Sequence, residues 1–171
     1  MSCIICDAIA GGNALYDDGA VVVLLDEHPA AAGQSIVTTR RHFSIIEQVP
    51  DALAGILFSV ANRVSTATFE ALGVQGTNLL VSNGIAAGQE AAHALITVVP
   101  RMQGDGLLPK WKPKQLSEEE MSTVELMLKE QTKHIGAFEE EEEKEPMNLD
   151  APPKQLEKED DYLLRQLRRI P

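Results

Sequence analysis

The sequence predicts an α+β domain built around an antiparallel sheet, followed by a helical extension. Two observations support this prediction. Short runs rich in β-branched residues are separated by Gly, Pro and Asn, which is typical of strands joined by turns. A single long helical pattern interrupts these runs. The other connections are short enough for hairpins, so neighbouring strands are expected to be antiparallel.

Four runs have the composition expected of strands, and one longer run has that of a helix. The helix is expected from Asp51 to Leu72, because apolar residues recur there every three or four positions. Gly73 follows at the position where helices commonly stop. Residues 1–110 are therefore expected to form one domain. The strand-like runs within it are residues 21–26, 34–39, 77–81 and 92–99.

The composition changes after residue 110, and three further segments are predicted there. Residues 111–138 are expected to be a helical extension, because Ser117 and Glu120 have the spacing of a capping box. Residues 139–154 are expected to be an acidic, flexible linker, since a dense run of glutamates repels itself and cannot be buried. Residues 155–171 are expected to form an amphipathic helix. Its apolar stripe consists of Leu156, Leu163, Leu167 and Ile170.

The C-terminal helix is too short to be stable in water by itself, so we expect it to dock on another surface. Two surfaces are open to it, its own dimer and a protein partner. We favour the protein partner, because so long a linker is unnecessary for packing on a neighbouring surface.

Net charge and composition limit the kinds of partner and the cellular location that are expected for this protein. The net charge of −11 argues against general binding of nucleic acid and gives no support for docking on anionic membranes. No run of residues has the expected composition of a secretory signal or of a membrane span. We therefore expect a cytoplasmic protein, in which a reducing environment keeps both cysteines as thiols.

Residues 83–101 contain the most informative motif, which reads NGIAAGQEAAHALITVVPR. This motif resembles the signature of the histidine-triad (HIT) superfamily of nucleotide hydrolases and transferases. In that family a glycine-rich turn leads into a strand that carries three histidines at alternate positions. In this chain the three positions hold His93, Leu95 and Thr97.

Several other parts of the first hundred residues resemble the same family in the same order. The resemblance covers about residues 1–107. It implies an antiparallel sheet with one long helix, and a homodimer whose two sheets join edge to edge. The matching parts are CIICD at 3–7, LDEHP at 25–29, GQSIV at 33–37 and RRH at 40–42.

The resemblance also implies a structural zinc site. Two thiolates and two imidazoles are a ligand set that holds zinc tetrahedrally. Zinc-bearing HIT proteins and their galactose-1-phosphate uridylyltransferase relatives use a Cys-x-x-Cys, a mid-chain His and the first motif His. Zinc would pin the N-terminal helix to the sheet. The alternative is two buried thiols and two unrelated histidines. The matching residues are Cys3, Cys6, His42 and His93.

A nucleotide pocket is the second site that the resemblance implies. Glycines let the backbone approach a phosphate, and amide side chains can donate to its oxygens. In the family these residues hold the α-phosphate and an aspartate binds the ribose, so a nucleoside monophosphate-like ligand is expected. The alternative is a turn that needs glycine only for its backbone conformation. The expected contacts are Asp26, Asn83, Gly88, Gln89, Glu90 and Thr97.

Three functional classes remain open. In the family the middle histidine attacks phosphorus, but Leu95 has no lone pair, so no catalytic residue is predicted. We favour a non-catalytic member that binds a nucleotide or a protein. The second class is an active hydrolase or transferase that uses another residue, such as His28. The third is a dimeric scaffold whose acidic tail and terminal helix bind a protein partner.

Overall fold

A computed structural model describes residues 3–107 and 112–135 of the chain. The chain divides into two compact units, residues 1–111 and 112–171. The first unit contains a five-stranded sheet and two helices. In the second unit, the described part consists of one helix and a short 3-10 turn.

The sheet order in the first unit is β1-β2-β3-β5-β4, and every neighbouring pair is antiparallel. The predicted α+β class and antiparallel sheet are therefore confirmed. Strand β1 is absent from the prediction because its sequence, ALYD, has no β-branched residue and lies at a sheet edge. The elements are α1 (Ile4–Ala10), β1 (Ala14–Asp17), β2 (Val21–Leu25), β3 (Ser35–Thr39), α2 (Asp51–Leu72), β4 (Gly76–Leu80) and β5 (Leu95–Arg101).

Helix α2 has the predicted bounds and packs on one face of the sheet, here called the core face. It ends where Gly73 takes a left-handed conformation with φ of 61°. The Gly73 N–H donates to the Phe69 carbonyl at 3.1 Å. Leu57 and Ala61 are fully buried, and burying Leu57 alone contributes about 1.5–3 kcal/mol. The sheet adds Val21, Val23, Val37, Ile96 and Val98 to this core.

Contrary to the expectation from sequence, helix α2 reaches the length and apolar composition of a membrane span. By length and composition alone, the expectation of no such stretch is wrong. The fold provides another reason for the composition, because Leu57 and Ala61 belong to the core formed with the sheet. Helix α2 is the core helix of this unit.

The opposite face of the sheet, here called the open face, carries two of the motif positions. Side chains alternate between the faces of a strand. The register pairs Leu95 with Thr38 and Thr97 with Ile36, so these four side chains lie on one face. At these positions the open face carries two aliphatic side chains and two threonines.

Strand β5 begins at Leu95, whereas the predicted run begins at Ala92. His93 therefore lies in a bend before the strand. Its backbone N–H donates to the Ala91 carbonyl at 2.8 Å, which closes a tight turn, and the strand pattern starts only beyond that turn. Of the three motif positions, only the second and third share a strand.

A polar clasp closes the end of β5. The Arg101 guanidinium donates to both carboxylate oxygens of Asp105, at 2.7 and 2.9 Å, and also to the Asn78 side chain and the Leu107 carbonyl. Asp105 further accepts from the Met102 backbone N–H at 3.1 Å. The hydrogen bonds from Arg101 hold the pKa of Asp105 well below its ordinary value of 3.8. The clasp therefore favours the ionised carboxylate.

Helix α3 (Glu118–Gln131) is the described helix of the second unit. The Ser117 hydroxyl accepts from the Glu120 N–H at 3.3 Å, and the Glu120 carboxylate accepts from the Ser117 N–H at 2.8 Å. The predicted capping box and helix are therefore confirmed. The predicted linker at 139–154 and helix at 155–171 lie outside the described residues and stay predictions.

Candidate functional site

Four side chains from separate parts of the first unit meet in one cluster. Their ligand atoms all lie within 4.8 Å of one another. Cys3 is the N-cap of α1, and Cys6 lies three residues further along the same face of the helix. His42 follows β3 and His93 precedes β5, and these strands are neighbours in the sheet. The fold thus brings together the four residues expected to bind metal.

The distances in the cluster fit a tetrahedral metal site. The Cys3 Sγ atom lies 3.5 Å from His93 Nδ1, and the Cys6 Sγ atom lies 3.4 Å from His42 Nδ1 and 3.6 Å from His93 Nδ1. Zinc bonds of about 2.3 Å to sulfur and about 2.0 Å to nitrogen would place such ligand atoms roughly 3.5 Å apart. The cluster could therefore hold a metal ion.

The orientation of His93 suits a metal ligand. The side chain is 1% exposed, and its Nε2 lies 2.9 Å from the Thr39 carbonyl oxygen. A carbonyl only accepts, so Nε2 carries the hydrogen and Nδ1 directs its lone pair toward the thiols. Burial lowers the pKa of His93, although the hydrogen bond to Thr39 opposes this shift. The neutral imidazole, which is the form that binds metal, is favoured.

The surroundings of Cys6 favour its protonated thiol in the protein alone. Burial raises the pKa of the Cys6 thiol, and its hydrogen bond to Cys3 raises it further. Both cysteines are free, with no disulfide between them. A divalent cation would reverse the shift by stabilising the thiolates, so metal binding would release protons.

A glycine-rich turn precedes β5. Gly84 has a φ of 85° and Gly88 a φ of 82°, with a 3-10 turn at Ile85–Ala87 between them. Side chains with a Cβ rarely adopt such positive φ values, so both positions favour glycine. The backbone conformation of the turn therefore favours glycine at both positions, whether or not a ligand contacts the turn.

The Gln89 side chain holds this turn in place. Its Oε1 accepts from the Gly84 N–H at 2.7 Å. Its Nε2 donates to the Ser44 carbonyl at 2.6 Å and to the Ala91 carbonyl at 2.8 Å. Both amide hydrogens are thus used within the protein. The sequence pattern does not predict this role, because Ser44 is distant in the chain and contributes only its backbone.

Asn83 and Glu90 flank the same turn. Asn83 is half-buried, and its Oδ1 accepts from the Ile46 N–H at 3.2 Å. Its amide hydrogens have no partner within residues 3–107. Glu90 is exposed, and its backbone N–H likewise donates to no group in that range. The turn therefore offers hydrogen-bond donors on both sides.

Asp26 follows β2, and a second glutamine fixes its carboxylate. Asp26 Oδ2 accepts from the Gln34 Nε2 at 2.6 Å, and Oδ1 accepts from the His28 N–H at 2.9 Å. The Gln34 Oε1 accepts in turn from the Ala30 N–H at 3.0 Å. From the sequence, Gln34 is recognised only as part of the GQSIV motif at residues 33–37. A polar residue at the start of a buried strand is the signal that points to such a role.

Leu95 and Thr97 occupy the positions of the two absent histidines, and both are half-buried on the open face. Thr97 pairs with Ile36 on β3 and with Leu80 on β4, so aliphatic neighbours flank its hydroxyl. Neither residue carries a nitrogen that could attack phosphorus. His28 is exposed in the loop after β2.

Comparison with known proteins agrees with the motif. A family model described as the HIT domain matches residues 10–104, more than half of the chain. The adenylylsulfatase HINT3 of Arabidopsis thaliana is 33% identical over 108 residues, which are 61% of this chain and 55% of that protein. The chain thus spans about half the length of this relative.

Solved structures share the fold. A HIT family protein from Bacillus subtilis has a TM-score of 0.69 at 26% identity, covering 76% of this chain and 96% of that chain. A zinc-bound histidine triad family protein from Mycobacterium smegmatis has a TM-score of 0.59 at 27% identity, covering 77% of this chain and 96% of that chain.

Proposed function

This chain belongs to the HIT domain family, and on that basis we propose that it binds a nucleoside monophosphate-like ligand without covalent catalysis. The observation that carries the proposal is the replacement of two motif histidines by Leu95 and Thr97, beside a glycine-rich turn whose conformation is intact. The turn needs only backbone and amide donors to hold a phosphate, whereas the reaction needs a nucleophile. Binding and catalysis are therefore separable.

The proposed ligand lies between the glycine-rich turn and Asp26. Gly88 permits close approach of a phosphate, which accepts from the Asn83 amide and the Glu90 backbone N–H. The carboxylate of Glu90 would repel a phosphate, so only its backbone takes part. Thr97 can donate its hydroxyl to a phosphoryl oxygen. Asp26, held by its hydrogen bonds, accepts from the ribose hydroxyls.

Gln89 acts on this ligand indirectly. Its amide hydrogens already hold the turn, so its contribution is to keep the backbone in the shape that receives the phosphate. A relative is named an adenylylsulfatase, which favours an adenylate as the first ligand to test.

The lost histidines argue against the family's reaction in this chain. A covalent phosphoramidate needs a ring nitrogen at position 95, and its breakdown needs a proton donor nearby. Leu95 supplies neither, and a threonine hydroxyl at position 97 is not an effective general acid or base near neutral pH. Removing groups that act as a unit abolishes most of the rate enhancement.

We assign zinc to the metal cluster, in a structural role. Four protein ligands complete a tetrahedral shell and leave no position for a reactive water. Zinc held by Cys3, Cys6, His42 and His93 would tie α1 to the residues that flank β3 and β5. Such a site requires thiolates, which a reducing compartment such as the cytoplasm preserves.

A homodimer is part of the proposal, with β4 as the joining edge. Strand β4 is the last strand of the sheet, so its outer backbone groups are open to pairing. Exposed apolar side chains accompany this edge. They are Phe69 and Leu72 on α2 and Leu79 and Leu80 on β4, with exposed fractions of 54%, 52%, 39% and 45%. Pairing of the β4 edges of two copies would bury these exposed apolar side chains.

Calorimetric titration with AMP and GMP, combined with a turnover assay on adenosine phosphoramidate, tests the proposal. We expect AMP to bind the wild type without turnover. Asp26→Ala should weaken binding at least about tenfold, the effect of losing a charged hydrogen-bond acceptor. Glu27→Ala removes the adjacent exposed carboxylate and is the matched control. Absence of binding would contradict the proposal and favour the scaffold class, and turnover lost in His28→Ala would favour an active enzyme.

A further inference from the structure

Helix α3 presents an apolar stripe that no described part of the chain covers. Met121, Val124 and Leu128 are 53%, 46% and 58% exposed, and their spacing places them on one side of the helix. Leu126 lies on the opposite side and is 72% exposed. A helix of 14 residues is marginal in water unless its apolar face is packed. We therefore expect another apolar surface to pack on this stripe.

The length of the linker favours a protein partner for the C-terminal segment, but the exposed stripe of α3 offers a nearer surface. We propose that residues 155–171 dock on this stripe of α3 in the same chain. The segment carries Leu156, Leu163, Leu167 and Ile170 at intervals of seven, four and three residues, which a helix would place on one face. Within the part of the chain that the structure describes, the stripe of α3 has no apolar partner. Packed against each other, α3 and the segment would form a small helical hairpin.

The charges of the two segments match when the segments lie antiparallel. Helix α3 begins with three glutamates, Glu118 to Glu120. Near its end Lys129 pairs with Glu125, and just beyond the helix Lys133 pairs with Glu130. The C-terminal segment has the reverse order, with acids first and arginines last. Antiparallel docking places the arginines of the segment beside the glutamates at the start of α3, whereas parallel docking would place the acids of the segment there. The acids are Glu157, Glu159, Asp160 and Asp161, and the arginines are Arg165, Arg168 and Arg169.

The charge balance also favours this segment over a second copy of α3. Between residues 118 and 133 there are five glutamates and two lysines, a net charge of −3. Pairing two such helices would bring two negative surfaces together. The segment 155–171 has four basic and four acidic residues, a net charge of zero.

The connecting chain is long enough for this return. Residues 136–155 are twenty residues, which can span at most about 66 Å when extended. The 14 residues of α3 are about 21 Å long. The segment can therefore reach the beginning of α3 and lie along its whole length.

Hydrogen exchange of the full chain, read in one segment while the other is changed, tests the proposal. We expect residues 156–170 to be protected in the wild type. Leu128→Asp should accelerate their exchange at least tenfold, a loss of about 1.4 kcal/mol of docking free energy. Leu126→Asp makes the same change on the opposite side of α3 and should leave the protection intact.

The reciprocal experiment changes the C-terminal segment and reads α3. Leu163→Glu should accelerate exchange in residues 121–131 at least tenfold. Leu164→Glu, one position away from the stripe, should have little effect. Free exchange of residues 156–170 in the wild type would overturn the proposal. Protection that grows with protein concentration would indicate a second copy instead, and protection seen only in cell extract would indicate a protein partner.

Discussion

At the residue scale, the three motif positions have separate environments. His93 lies in a bend before β5, where its Nδ1 faces the thiols and its Nε2 contacts the Thr39 carbonyl. Leu95 and Thr97 lie within the strand, on the open face. Replacing the second and third histidines therefore leaves the cluster intact, which explains how a metal site could persist where a nucleophile does not.

The zinc site leads to the first prediction. We expect about one zinc per chain in protein purified without chelator, measured by elemental analysis. Cys6→Ser and His93→Ala should each reduce the zinc content to well below half. Both should also lower the melting temperature, because the free energy of metal binding is part of the free energy of folding. His28→Ala, an exposed histidine outside the cluster, should retain the metal.

One outcome would contradict the zinc prediction. If the wild type carries no zinc and Cys6→Ser is as stable as the wild type, the cluster is only a set of neighbouring thiols and imidazoles.

The second prediction concerns the missing nucleophile. Leu95→His alone should recover little hydrolysis of adenosine phosphoramidate, because position 97 still lacks an imidazole and residues that act as a unit are non-additive. The hydrolysis rate of the double variant Leu95→His, Thr97→His should exceed the wild-type rate by a factor larger than the product of the factors for the two single variants. Steady-state assays of adenosine phosphoramidate hydrolysis by the variants and the wild type test this prediction. A wild-type rate well above background would contradict the prediction.

At the element scale, two local features position the site and limit what can be changed. Gly33 precedes β3 with a φ of 86°, close to the end of α2. The clasp of Arg101 and Asp105 closes the end of β5. Neither belongs to the cluster or to the glycine-rich turn, although Gly33 precedes Gln34, which holds the Asp26 carboxylate. Their effects are therefore measured as changes in stability.

Gly33→Ala is expected to destabilise the protein by about 1–2 kcal/mol from the left-handed conformation alone. A Cβ at this position would also lie 2.3 Å from Leu72 Cδ1, so the Leu72 side chain must move. Gly19→Ala is the matched control, because its φ is 88° and its Cβ would meet no atom within 4 Å. Urea unfolding should show a larger decrease in the free energy of unfolding for Gly33→Ala than for Gly19→Ala. Equal losses would mean that Leu72 moves without cost.

Asp105→Asn is expected to reduce the free energy of unfolding in a pH-dependent way. The pKa of Asp105 is lowered in the folded protein, so its contribution is fully present above the ordinary value of 3.8. It is lost as the pH falls through the lower folded value. Denaturant titrations at several pH values should therefore show a difference between wild type and variant that shrinks below pH 3.8. A difference that stays constant down to pH 2 would contradict the assignment. The control Glu27→Gln changes an exposed loop carboxylate.

At the scale of the whole molecule, residues 3–107 and 112–135 present exposed apolar surfaces that are available for assembly, and two of them bear on the proposals. One follows β4 and the adjacent side of α2 in the first unit, and the other is the stripe of α3 in the second. Apolar patches of this kind are commonly covered by a partner. We assign the first to a second copy of the chain and the second to the C-terminal segment.

The dimer gives the last prediction. Light scattering should show a dimer for the wild type. Phe69→Glu should shift it toward the monomer with unchanged circular dichroism, because the charge would be buried between the two copies. Leu15→Glu introduces the same charge at an exposed residue of β1, on the opposite edge of the sheet, and should remain dimeric. A monomeric wild type would refute the proposed interface.

Local patterns in the sequence determined most elements of this protein, but not β1 or the start of β5. The bounds of α2, its stop at Gly73 and the capping box at Ser117 all depend on residues within a few positions of each other. The family, and through it the ligand set of the cluster, also follows from motifs that are short and ordered along the chain.

Only the tertiary structure decided which distant groups meet. Cys3 and His93 are ninety positions apart, and their contact depends on how α1 and β5 are placed. The bend at His93, the hydrogen bonds that occupy Gln89 and the link between Gln34 and Asp26 have the same origin. A hydrogen bond or metal ligand requires atoms within about 3–4 Å, and that proximity is set by packing across the sheet, which no local pattern encodes.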